Sequence, residues 1–282
     1  MKLSARQWLI HGSLFVVTFL TATVAGSIYA NVKTDEIIPY LMGGWVFSVP
    51  LMAILLTHEM GHYLFGRRHY LDVTPPYFIP APPPLGTFGA FIRIRSPIPD
   101  RQTLIEVGAC GPIAGALVAI PMLILGLGLS EATPIVEPAK GFALGSSIIL
   151  ELFSLIRFGH FTSDANVVLH PTALAAWFGL FVTAMNLLPI GQLDGGHVIY
   201  ALFGPRPAGK ISIIVFALLI PCGILLWPGW LVFALLAFLL GLRHPPPLDP
   251  YVPLERSGYL LGWFAIVLFI LAFIPVPISM IE

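Results

Sequence analysis

Charge is what this chain has least of. Only 10% of its 282 residues are Asp, Glu, Lys or Arg, and 14 basic residues balance 14 acidic ones. Ordinary soluble domains carry roughly a quarter charged residues, so that class is excluded. A formal net charge of zero removes the bulk attraction on which nucleic-acid binding depends. Cysteine is also scarce. Cys110 and Cys222 sit in apolar runs with no CxxC and no Cys-rich metal pattern, so they read as small hydrophobes rather than a disulfide. There is no internal repeat, no low-complexity tail and no soluble insert of domain size.

What is present is apolar. Hydrophobic residues make up 57% of the chain and the mean hydropathy is +0.90, which predicts an all-α polytopic membrane protein. About seven runs can cross a bilayer: 8–30, 42–65, 104–129, 172–190, 209–227, 228–242 and 258–278. The interval 141–158 is apolar but holds Glu151 and Arg157, and is expected to be an interfacial or re-entrant helix. The first run is longer than a signal-peptide core and is read as an uncleaved helix. The whole of 1–282 is expected to be one integral membrane domain, with a core over 42–205 and C-terminal helices over 206–282. Seven crossings with a cytoplasmic amino terminus place Lys2, Arg6, Arg67, Arg68, Arg93, Arg95, Arg101, Arg206, Lys210, Arg243 and Arg256 inside. Lys33, Lys140 and Arg157 fall outside, the asymmetry of the positive-inside rule. A bacterial inner membrane is the expected location.

Inside the second run stands His58-Glu59-Met60-Gly61-His62. Two histidines four apart on a helix share one face and can ligate a single Zn²⁺. The glutamate between them is placed to take a proton from a water on that metal. Ionisable groups at membrane depth are costly and functional by default, and three within one turn are hard to attribute to packing.

A catalytic zinc takes a third protein ligand. A histidine six residues after His62 would complete one known pattern, but that residue is Arg68. His69 lies about 10 Å along the helix axis from His62, too far to share the ion. Asp194, in Asn186-Leu-Leu-Pro-Ile-Gly-Gln-Leu-Asp-Gly-Gly-His197, is the better candidate. Pro189 and Gly191 break the fourth run just before it, and its charge would otherwise stand unpaired at the end of an apolar helix. A solvated aspartate in a turn is the bland alternative.

HEMGH in one run and NLLPIGQLDGG in a later one together resemble the site-2 protease family of intramembrane zinc metalloproteases. The resemblance covers about 50–205, including GPIAG at Gly111 to Gly115 and GTFGAF at Gly86 to Phe91. It looks closest to short bacterial and chloroplast members without a PDZ domain. It implies one zinc per chain on His58, His62 and Asp194, with Glu59 as general base and acid. It also implies a transmembrane protein substrate cut in or near its spans. Asn186 matches the family asparagine thought to hold the substrate or its oxyanion; an interhelical hydrogen bond accounts for it equally well.

A membrane substrate must unwind before cleavage, and its freed backbone needs partners. The Pro-rich stretch 66–103 cannot be helix and is expected to form a re-entrant or β-hairpin loop between helices 2 and 3. Gly89, Ala90, Phe91 and Ile92 within it are candidates for a strand that pairs with extended substrate, the alternative being a purely structural hairpin. Two other functions compete: a divalent-metal transporter or channel, and a catalytically inactive relative that binds membrane proteins. The missing repeat argues against the first and the intact Glu59 against the second. His197 could support the metal or face solvent, His170 reads as interfacial, and His11, His160 and His244 have no evident partner. Gly108, Gly111 and Gly115 read as helix-packing residues.

Overall fold

The computed structural model describes residues 4–134, 141–159 and 165–281; Lys2, Lys140 and His160 lie outside the described residues. In chain order the elements begin with α1 (Ala5–Tyr29), α2 (Ile37–Arg68), β1 (Tyr77–Pro80), β2 (Thr87–Phe91), α3 (Arg101–Gly128), β3 (Glu131–Pro134), β4 (Gly141–Leu144) and α4 (Ile148–Phe158). They continue with β5 (Ala165–Val168), α5 (Pro171–Asn186), α6 (Asp194–Phe203), α7 (Pro205–Leu225), α8 (Gly229–Leu240), α9 (Arg256–Ala272) and β6 (Ile278–Ile281). The protein is mostly helical.

Among the described residues, α1, α2, α3 and α7 are long and apolar enough to cross a membrane. The other expected spans are shorter. α5 has 16 residues, α8 has 12 and α9 has 17. At 1.5 Å per residue, about 20 residues are needed for the roughly 30 Å hydrocarbon core. The segment 141–158, expected as an interfacial or re-entrant helix, divides instead into β4 and α4.

Contacts group the chain into two compact units. The first comprises Met1–Ser96, Ala114–Pro134 and Phe153–Val182. It begins at a capping box, in which Ser4 Oγ accepts from the Gln7 amide while Gln7 Oε1 accepts from the Ser4 amide. α1 and α2 approach to backbone contact: a Cβ on Gly26 would lie 2.4 Å from Gly44 O, and one on Gly44 would lie 2.0 Å from Thr23 O. Polar side chains join them there. Ser27 Oγ donates to Tyr40 O (2.7 Å) and Thr23 Oγ1 to Ser48 Oγ (2.9 Å). With no water at membrane depth, close small-residue contact and satisfied hydroxyls replace the hydrophobic effect as glue. α5 packs on α2 in the same way, Gly179 against Ile54, and Thr172 Oγ1 donates to Val46 O. β3 and β5 pair antiparallel within this unit.

The expected hairpin between helices 2 and 3 is present. β1 and β2 run antiparallel, with Tyr77 opposite Phe91, Phe78 opposite Ala90 and Pro80 opposite Thr87. It is tied to α1: Thr21 Oγ1 donates to Gly86 O (2.6 Å), Tyr29 OH donates to Pro84 O (2.7 Å), and His11 Nδ1 bonds Pro76 O (3.0 Å). His11 also packs its ring on Tyr77.

The second unit comprises Pro97–Ile113, Ile135–Leu152 and Thr183–Glu282. Asp100 starts α3, its carboxylate accepting from the Thr103 amide at 2.7 Å. Gly262 of α9 packs against Ile105 and Leu202, and Gly223 of α7 packs against Leu231. Trp230 is 1% exposed, its indole N–H donating to Pro275 O. β4 and β6 pair antiparallel, a contact between distant stretches of chain.

Candidate metal centre

In the first unit, α2 carries His58, Glu59 and His62, which are 2, 5 and 6% exposed. The four-residue spacing puts the imidazoles one turn apart on the same face, edge to face with ring centroids 5.0 Å apart and a ring nitrogen of each within 4.8 Å of the other. Thr57, one residue earlier, turns its hydroxyl back to Ala53 O and Ile54 O of its own helix. These residues fit a zinc ion. Two buried imidazoles can share one metal, and an adjacent buried carboxylate is positioned to handle a proton.

Gly115 borders this turn. A Cβ there would lie 3.1 Å from both Cβ and Nδ1 of His58. The sequence marked Gly115 as a packing residue; what it packs against is a metal-ligand candidate.

Asp194 lies in the second unit as the first residue of α6, half-buried. Asn186 is the last residue of α5, also half-buried. The segment between them is not continuous helix. It folds back through short backbone bonds, Ile190 N to Leu188 O (2.7 Å) and Leu193 N to Ile190 O (3.1 Å), with Gly191 at φ +51°. The fold-back is tight: a Cβ on Gly195 would lie 2.0 Å from Leu187 O, and one on Gly196 would lie 2.2 Å from Gly191 O. Only glycine allows this approach. The residue after Asp194 is thereby pressed against the residue after Asn186. Gly108 borders this turn in its own unit, where a Cβ would meet His197 at 2.6 Å and the Asp194 carbonyl at 3.4 Å.

His197 bonds Leu193 O through Nδ1 (2.9 Å) and packs its ring edge-on to His244 at 4.7 Å. His244 therefore has a ring neighbour that sequence could not name. His170 accepts from the Thr172 amide at Nδ1, at the start of α5.

Of the candidate pairing residues, Gly89, Ala90 and Phe91 fall in β2, and Ile92 lies just past its end. Gly89 has φ +98° with open space beside its Cα, and Phe88 and Phe91 are exposed.

The profile of Peptidase family M50 matches residues 46–226, which takes in both the α2 turn and the Asn186–Asp194 segment. The chain belongs to peptidase family M50. It is similar to the probable zinc metalloprotease EGY1, chloroplastic, of Oryza sativa subsp. japonica, at 35% identity over 65% of this chain and 32% of that protein. The Arabidopsis thaliana EGY1 matches at 34% over 64% of this chain and 32% of its own length. The Oryza sativa subsp. indica EGY2 matches at 28% over 96% of this M50 chain and 50% of its own length. The chain thus spans about a third to a half of the length of these three relatives. No solved structure matches it.

Proposed function

We propose that this M50 chain is a multi-pass membrane zinc endopeptidase that hydrolyses peptide bonds in or near transmembrane segments of other membrane proteins. The observation that carries the reading is the buried His58–Glu59–His62 turn on a helix of 32 residues apolar enough to cross a bilayer. The names of the curated relatives support the metal and the reaction class. In this reading α5, α8 and α9 complete seven crossings. The amino terminus lies on the side where basic residues gather, which in a bacterial inner membrane is the cytoplasm.

His58, His62 and Asp194 would hold one zinc per chain. When bound, that ion acidifies water and polarises a carbonyl. Glu59 accepts the proton of the attacking water at its carboxylate and passes it to the leaving amine. Asn186 offers an amide donor to the substrate carbonyl. Residues 89–91 of β2, with Ile92 beyond, pair with substrate backbone unwound from its helix.

The test uses the purified full chain and a transmembrane peptide substrate. Glu59→Gln is expected to keep about one zinc per chain and lose cleavage by 100-fold or more (roughly 10²–10⁴). His62→Ala and Asp194→Ala are expected to lose the metal. Undiminished cleavage by Glu59→Gln overturns the mechanism, full zinc retention by both ligand variants overturns the site, and metal flux without cleavage favours a transporter.

A further inference from the structure

A cavity lies wholly within the second unit, at the start of α7 and the loop after α8. It encloses about 380 Å³, within the range of small-ligand sites. Its charged lining is of one sign. Arg206 and Lys210, one turn apart on α7, and Arg243, two residues after α8 closes at Gly241, all border it. No carboxylate lines it among the described residues. None of the three cations makes an ion pair or side-chain hydrogen bond to a described residue. All three are exposed, with heads free to close on a ligand.

Their placement runs against helix stability. The amino-terminal end of a helix carries partial positive charge and favours anions. α7 has no acidic residue in its first turn and no side-chain cap, yet starts Pro205-Arg206-Pro207 and adds Lys210. The prolines also remove two amide donors that could otherwise greet an anion, leaving side chains to do so. Such a local conflict is expected where function overrides stability. An anion in the cavity would resolve it.

The floor is built. Ser212, 2% exposed, accepts from the Gly191 amide (3.0 Å) and donates to Leu242 O (2.6 Å), joining the turn before Asp194 to the loop after α8. His244 and Tyr200 close one wall, ring on ring at 4.9 Å. Burial and His197 hold the His244 imidazole down to about 4, so near neutrality it adds hydrogen-bonding capacity without charge.

We propose that this cavity binds a phosphate group through Arg206, Lys210 and Arg243, presented either by an anionic phospholipid headgroup or by a soluble phosphate. Guanidinium forks match phosphate oxygens, and basic pockets between membrane helices hold anionic headgroups. The proposal does not depend on the protease reading, since its readout is binding.

The probes are phosphatidylglycerol against phosphatidylcholine, followed on the full chain by native mass spectrometry, and inorganic phosphate by calorimetry. If the source is lipid, the chain retains phosphatidylglycerol in preference, and Arg206→Gln/Lys210→Gln/Arg243→Gln weakens that retention about a hundredfold. If the source is soluble, lipid preference is absent while inorganic phosphate binds and the triple variant loses it. Lys210→Gln alone, the smallest change, is expected to weaken binding about fivefold and guards against misfolding of the triple variant. Arg67→Gln/Arg68→Gln, at the end of α2, is expected to change nothing. Equal binding by the wild-type and Lys210→Gln proteins, or equal loss in the α2 control, overturns the proposal.

Discussion

The Cα of Gly115 faces the His58 imidazole so closely that a methyl group would stand 3.1 Å from its Nδ1. The ring must yield by a few tenths of an ångström to admit one carbon. Gly115→Ala is therefore expected to tilt the ring and weaken zinc binding by about 10–100-fold, the usual cost of disturbing a ligand's support. Gly115→Val is expected to abolish it. Chelator competition measures both, and zinc affinity unchanged in the alanine protein would show that the ring is not held there.

Arg101 anchors the far end of α6. Its Nε donates to Ala201 O at 2.8 Å and its Nη2 donates to Ala201 O and Leu202 O. Charged donors at a helix carboxyl end satisfy carbonyls that lack intrahelical partners. Arg101→Gln is expected to lower stability by about 1.5–3 kcal/mol. Thermal denaturation in detergent checks this, and an unshifted transition would contradict it.

The pairing role proposed for β2 predicts a positional pattern. Proline at Gly89, Ala90 or Phe91 is expected to abolish cleavage with zinc content intact, since proline removes a strand donor and fixes φ near −65°. Ile92 lies outside the strand, so proline there should harm least. Cleavage that survives every substitution leaves the hairpin a structural role only.

His244 gives a pH signature. A free imidazole titrates near 6.5, and burial beside His197 brings His244 to about 4 against the opposing pull of the Pro245 carbonyl. Between those values the unfolded chain takes up a proton that the folded chain refuses. Stability therefore falls as pH drops from about 6.5 to about 4, by about 3 kcal/mol in all, and levels off below. His244→Ala should flatten that slope. Parallel decline in both proteins would assign it elsewhere.

Much of this was legible in the residues. The HExxH spacing depends only on helix periodicity, so His58, Glu59 and His62 on one turn of α2 could be read directly. The hairpin was legible because prolines exclude helix from the stretch before Arg101. Other features were hidden for identifiable reasons. Gly195 and Gly196 look like helix breakers, yet they sit in the first turn of α6 because carbonyls of the preceding turn occupy the space side chains would need. β4 pairs with β6 across more than a hundred residues, beyond any local pattern. The partner of His11 is a backbone carbonyl at Pro76, which no side-chain motif announces. The short length of α9 was masked because apolar sequence continues past Ala272, whereas α8 was already legible as a short run over 228–242.

The crossing of α1 and α2 is locked along one part of its length. Parting these helices would break glycine-mediated backbone contact together with the Ser27–Tyr40 and Thr23–Ser48 bonds, while the three bonds from α1 would drag the hairpin along. Towards the histidine turn the same seam opens into an apolar groove of about 320 Å³ between Phe15 and Phe19 of α1 and Val49, Met52, Ala53 and Leu56 of α2, so the two helices are latched at one end and parted at the other.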